Sequence, residues 1–176
     1  MNLFLATHSD DESLFGSYII QTYNPLVIVC SDDCRKDDLL LTRRNESKKA
    51  MDILGADLWF LGVQSNHEND VFAKLLKVKL QRLQDVDTVF APNPETSNEQ
   101  HRIVSEVAKK VFGKVTYYDT YNNAWGTSGK GNKVDYTKDM KEKKLMAMNC
   151  YDSQLRYTDT KGHFSKVWNE FIEVSK

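Results

Sequence analysis

Residues 1–20 read MNLFLATHSDDESLFGSYII. Six of the first seven residues, Met1 to Thr7, are apolar or β-branched, as in a short strand buried on both faces. Three acids follow, Asp10-Asp11-Glu12. Leu14, Phe15, Tyr18, Ile19 and Thr22 then recur at helical spacing until Asn24-Pro25 ends the helix. A second buried strand, PLVIVCS at 25–31, comes at once.

The same alternation continues outward. Residues 57–63 (DLWFLGV), 87–92 (DTVFAP) and 114–119 (KVTYYD) read as strands, and 39–55, 70–84 and 97–112 as helices. Five strands alternating with four helices predict an α/β fold: a mostly parallel five-stranded sheet, order 3-2-1-4-5, with helices on both faces in a three-layer sandwich. Residues 122–135, rich in Gly and Asn, read as a mobile loop. Residues 138–150 and 164–174 read as two more helices, so that 136–176 forms a C-terminal helical part of a single domain spanning 1–176.

Composition narrows the function classes. With 24 Lys plus Arg against 25 Asp plus Glu, the net charge of −1 offers no bulk attraction to nucleic acid or an anionic membrane. Lys138, Lys141, Lys143 and Lys144 are interleaved with Asp139 and Glu142, the pattern of a solvated helix face. No apolar run reaches the ~18–20 residues of a membrane span, and residues 1–12 lack the basic flank of a signal peptide. Three cysteines (Cys30, Cys34, Cys150) without a secretion signal suit a reducing cytoplasm, and Cys30-x-x-x-Cys34 has neither redox-pair nor zinc-finger spacing.

Ligands of open parallel sheets bind at the carboxyl ends of the strands. The segment after strand one, His8-Ser9-Asp10-Asp11-Glu12, carries the most chemistry. The acids favour a helix N-terminus for electrostatic reasons alone, but that does not account for His8. An imidazole and a carboxylate three residues apart across a strand-to-helix turn suit Zn²⁺ or Fe²⁺. His101 begins the helix after strand four. With strands one and four adjacent, His8, Asp11 and His101 would face one another, leaving Asp10 as a base toward water. His67 lies on the same rim and reads as substrate-side or solvated, and His163 as a surface or packing residue. Asp32, Asp33, Asn66, Glu68, Asn93, Asn122 and Asn123 on the rim suit hydroxyl-rich ligands, and Tyr121 and Trp125 could stack on a sugar.

Ala6-Thr7-His8-Ser9-Asp10-Asp11-Glu12 resembles the A-H-P-D-D-E signature of the LmbE/PIG-L family of zinc-dependent N-deacetylases. Arg43-Arg44-Asn45-Glu46 with Ala50 and Leu54-Gly55 resembles the family's R-x-x-E…A…L-G helix. Phe60-Leu61-Gly62 resembles the strand that follows it, and Asn98-Glu99-Gln100-His101 the H-P-D-H segment. Lys144, Ala147, Tyr151 and Ser153-Gln154 resemble a late K…A…SQ run. The resemblance implies a Rossmann-like sheet, one divalent metal (Zn²⁺, with Fe²⁺ or another divalent ion as alternatives) and hydrolysis of an N-acetyl group on a glucosamine-type sugar or glycoconjugate. Carried over by position, His8, Asp11 and His101 become metal ligands, Asp10 the general base and Arg43 a substrate contact. Glu12 becomes a brace of the loop, and Ser153 and Gln154 take structural roles. Ser9 replaces the family's proline. Asn98 replaces the first histidine of H-P-D-H, so oxyanion stabilisation falls to Asn98, with His67 or Tyr121 as substitutes on the substrate side. The chain is shorter than most members, so the expected substrate cleft is either open or completed by a partner chain in a homo-oligomer.

Two rival readings stand beside this one. In the first, the Asn98 change marks a metal-binding but catalytically impaired domain acting as a sugar-binding module. The second is a nucleotide-binding module, disfavoured because strand one is followed by H-S-D-D-E, whose acids repel a pyrophosphate, and not by G-x-G-x-x-G.

Overall fold

The computed structural model describes residues 1–32, 37–64, 68–120, 128–155 and 167–174. The chain runs β1 (Asn2–Ala6), α1 (Asp11–Tyr23), β2 (Leu26–Asp32), α2 (Asp37–Leu54), β3 (Leu58–Gln64), α3 (Asn69–Leu80), β4 (Thr88–Pro92), α4 (Glu99–Phe112) and β5 (Thr116–Tyr118). It continues with β6 (Asn132–Lys133), α5 (Lys138–Met148), α6 (Asp152–Leu155) and β7 (Phe171–Val174). One sheet has the order β3-β2-β1-β4-β5-β7-β6. Its first five members are parallel and in the expected 3-2-1-4-5 order.

The side-chain alternation of β1 builds the layers. Leu3 and Leu5 join Phe72, Leu76, Val104 and Ala108 of α3 and α4 on one face. Phe4 and Ala6 join Leu14, Phe15, Met51 and Ala147 of α1, α2 and α5 on the other. The sheet is covered on both faces, which is why β1, β2 and β4 read as near-continuous apolar runs.

Two expectations are corrected. Among the described residues the sheet has seven strands where five were expected. Residues 171–174, expected within a helix, form β7 antiparallel to β5; residues 164–166 of that expected helix lie outside the described residues. The outer edge of β5 otherwise leaves a row of backbone groups without ladder partners, and Phe171, Ile172 and Val174 are good strand formers. Pairing with an edge far away in the chain overrides local helical spacing. Within the expected loop 122–135, Asn132–Lys133 form β6 on the far side of β7. Gly131, at φ +91, permits this close approach, since a Cβ there would stand 2.7 Å from the Ile172 carbonyl oxygen. Residues 122–127 of that loop lie outside the described residues.

Three details fix α1, the helix that begins at the acidic turn. Gly16 lies under Phe4, whose ring stacks on Tyr118 with centroids 4.5 Å apart; a Cβ at Gly16 would overlap the Phe4 ring. Gly16→Ala is therefore expected to cost about 1–3 kcal/mol through overpacking, or about 2–12 °C in Tm at this chain length, read by calorimetry. The fully buried Glu170 carboxylate accepts from the amides of Tyr18 and Ile19 (2.9–3.0 Å). A regular helix would direct those amides to carbonyls one turn earlier. The Leu14 carbonyl, one turn before Tyr18, accepts from Lys144 Nζ (2.8 Å), which also pairs with Glu170 at 2.7 Å. Among the described residues no helix is long and apolar enough to cross a membrane.

Candidate metal centre

Because β1 and β4 are neighbours, the turn after β1 and the first turn of α4 meet at the carboxyl edge of the sheet. His8 lies in that turn, Asp11 opens α1, and His101 lies in the first turn of α4. Asp11 Oδ2 stands 3.5 Å from His8 Nδ1 and 3.1 Å from His101 Nε2, and the two ring nitrogens are 3.3 Å apart. A tetrahedral ion with bonds of about 2.0–2.1 Å separates its ligand atoms by about 3.3–3.4 Å, so the triangle has the dimensions of one face of such a site. The His101 side chain is fully buried and that of Asp11 nearly so, while His8 is 12% exposed on the open side. Two imidazoles and a carboxylate form a donor set for Zn²⁺ or Fe²⁺. Among the described residues this is the one His/Cys/Asp/Glu group that could hold an ion.

The electrostatics follow from burial among these neighbours. Burial opposes the Asp11 charge, but His101 and His8 outweigh it and hold the carboxyl well below the usual carboxylate range. Burial pushes Asp10 up to about 8; Arg43 pulls against it, and Asp11 and Glu12 add to it.

Asp10 is a residue with a left-handed backbone, at φ 116. Such strain costs about 1–3 kcal/mol and persists only where the surroundings over-determine it. Three contacts do so here. The Asp10 amide donates to Glu12 Oε2 (3.0 Å). Arg43 Nη2 lies 3.3 Å from Asp10 Oδ2 and donates to the Ser9 carbonyl. Glu12 is itself held by the Tyr151 hydroxyl at Oε1, and burial raises its carboxyl against that hydrogen bond. Ser153 donates from its amide and hydroxyl to Glu46 on α2 (2.8 and 2.6 Å), linking α6 to the helix that carries Arg43.

Residues 3–112 match the family model described as PIG-L, GlcNAc-PI de-N-acetylase. The chain belongs to the PIG-L family. Membership supports a deacetylase-type hydrolase. No curated protein matches the sequence closely. Among solved structures, the A40926 pseudoaglycone deacetylase Dbv21 superposes with a TM-score of 0.80 at 16% identity, covering 99% of this chain and 96% of that one. The zinc-inhibited form of teicoplanin deacetylase Orf2 gives 0.74 at 13%, covering 99% and 98%. The 4-carboxy-2-hydroxymuconate hydratase GalB from Pseudomonas putida KT2440 gives 0.68 at 14%, covering 99% and 95%. At these identities the likeness is one of fold, and a hydratase shares it with deacetylases.

Within this PIG-L chain the remaining site residues sort by contact. Asn98 is the N-cap of α4, its Oδ1 accepting from the amides of Gln100 (2.9 Å) and His101 (3.3 Å). Arg43 is buried on Asp10 and Ser9. Asp32, on the rim, has both oxygens engaged by Arg44 (3.2 and 2.6 Å), whose guanidinium also lies over Phe60 at 5.1 Å. His67, Tyr121, Trp125 and His163 lie outside the described residues. Gln100, which sequence reasoning passed over, touches the centre directly, its Oε1 standing 2.5 Å from His8 Nε2. Its position next to His101 was the available signal, but residue 8 is 92 positions away and only the adjacency of β1 and β4 joins them.

Proposed function

We propose that this chain is a metal-dependent N-deacetylase acting on an N-acetylated amino sugar, free or within a small glycoconjugate. The observation that carries the proposal is the triangle of His8, Asp11 and His101 with Asp10 tethered beside it. A divalent ion held by those three residues supplies Lewis acidity, polarising the amide carbonyl and acidifying water. Asp10 takes the proton from the attacking water, which adds to the carbonyl carbon. Asp10 then returns the proton to the amide nitrogen as the C–N bond breaks, leaving a free amine and acetic acid, which gives up its proton to the solvent as acetate. Burial raises the Asp10 carboxyl, which favours the second half of that exchange, the return of the proton to the leaving nitrogen. Arg43 holds the carboxylate in place through Asp10 and Ser9. Asn98 Oδ1 is engaged in capping, so any contact to the developing oxyanion comes from its amide nitrogen. That contact is neutral and weaker than the one a protonated histidine makes.

The test is acetate and amine release across a panel of N-acetylglucosamine derivatives, with the protein stripped by a chelator and reloaded separately with Zn²⁺, Fe²⁺ or Co²⁺. Stripping is expected to abolish turnover and reloading to restore it. Several ions are needed because a structural neighbour was solved in a zinc-inhibited form. Metal uptake without release from any substrate would favour the sugar-binding module instead.

A further inference from the structure

We infer that Gln100 is a positioning residue that selects the tautomer of His8 and so sets the grip of this site on its ion. The inference rests on the metal centre proposed above. An imidazole ligates only through a nitrogen that carries no proton, so a neutral histidine must keep its proton on the other one. Nδ1 of His8 faces Asp11 and His101 at 3.5 and 3.3 Å. Nε2 faces the Gln100 side-chain oxygen at 2.5 Å. An amide oxygen only accepts, so Nε2 carries a proton; an ion entering the triangle displaces any proton shared between Nδ1 and the Asp11 carboxylate, and the Nδ1 lone pair then points at it. Partners of this kind orient metal-bound histidines, and their loss typically weakens metal affinity 10–100-fold.

The same turn of α4 explains why Gln100 is held accurately. Asn98 caps the helix on the amides of Gln100 and His101 together. One N-cap thereby places a ligand, His101, and the residue that orients a second ligand, His8. Gln100 has no charge, so it fixes the proton without adding a further carboxylate to a turn that already holds Asp10, Asp11 and Glu12.

Three variants of the full chain separate this role from packing. Gln100→Leu keeps bulk and removes the acceptor. Gln100→Glu keeps an acceptor. Gln100→Lys presents only donors and drives the His8 proton to Nδ1. Two readouts apply: the His8 tautomer in the metal-free protein, from ¹⁵N-edited NMR of the imidazole, and Zn²⁺ affinity by competition with a chromophoric chelator. Wild type is expected to show the Nε2–H form. Gln100→Glu should retain that form with Zn²⁺ affinity within about threefold of wild type. Gln100→Leu should lose the preference and bind about 10–100-fold more weakly, and Gln100→Lys should be weaker still. A wild-type His8 with no proton on Nε2, or a Gln100→Leu protein binding Zn²⁺ as tightly as wild type, overturns the role of Gln100. A wild type that takes up no Zn²⁺, Fe²⁺ or Co²⁺ while still showing the Nε2–H form overturns the metal reading beneath it.

Discussion

Asp10→Asn protein is expected to keep its metal and to lose about 10²–10⁴-fold in kcat, the usual contribution of a positioned acid–base group. Asparagine tolerates the left-handed backbone that residue 10 adopts, and its amide N–H still reaches Glu12, so the turn and its ligands should survive. What is lost, on the proposed mechanism, is the group that takes the proton from water and gives it to the leaving nitrogen. Asp11→Ala makes the contrast. It removes the carboxylate shared by both imidazoles, so metal content should fall along with activity. Steady-state kinetics with elemental analysis of both variants separates the two roles. An Asp10→Asn enzyme turning over at the wild-type rate would remove Asp10 from the mechanism.

The second large effect is on stability. Lys144→Met leaves the Glu170 carboxylate buried against the amides of Tyr18 and Ile19 with no cation. Breaking a buried pair from one side costs about 3–5 kcal/mol, or about 6–20 °C in Tm for a chain of this length. The double variant Lys144→Met/Glu170→Gln should recover part of the loss, because the glutamine oxygen still accepts from α1 and no charge is stranded. A double-mutant cycle measures the coupling. Burial already raises the Glu170 carboxyl against the pull of Lys144, and burial lowers the Lys144 ammonium against the pull of Glu170. With the lysine gone the carboxyl rises further. A group whose folded-state pKa is raised stabilises most below its unfolded value and loses that contribution as pH rises. The deficit of Lys144→Met relative to wild type should therefore shrink as pH falls toward 4.5, the ordinary glutamate value. A deficit that grew in acid would mean that the pair is not what anchors Glu170.

The fold was legible wherever burial was two-sided. β1, β2 and β4 are covered on both faces, so their composition alone marks them. The helices between them were bounded to within a few residues, apart from the C-terminal end of α3, read at 84 and found at Leu80. The order 3-2-1-4-5 was inferable because parallel strands need crossover helices, and those crossovers have one hand. β7 was missed for the opposite reason. Phe171–Val174 is a four-residue strand whose only specification is the open edge of β5, more than fifty residues earlier, and nothing local distinguishes it from a helix.

The same division runs through the candidate site. His8, Asp10, Asp11 and His101 could be nominated from the sequence because metal and proton chemistry accept few residue types, and three of the four share one turn. That nomination, and the alternation of strand and helix, came from the sequence itself. Tertiary structure alone decided the partners: Arg43 on Asp10, Tyr151 on Glu12, Gln100 on His8, Lys144 and Glu170 on α1. Arginine, tyrosine, glutamine and lysine serve many roles, and which one each plays depends on distances of about 3 Å between residues 33 to 152 positions apart. Short-range periodicity records which face of an element is buried; it carries no record of what lies opposite.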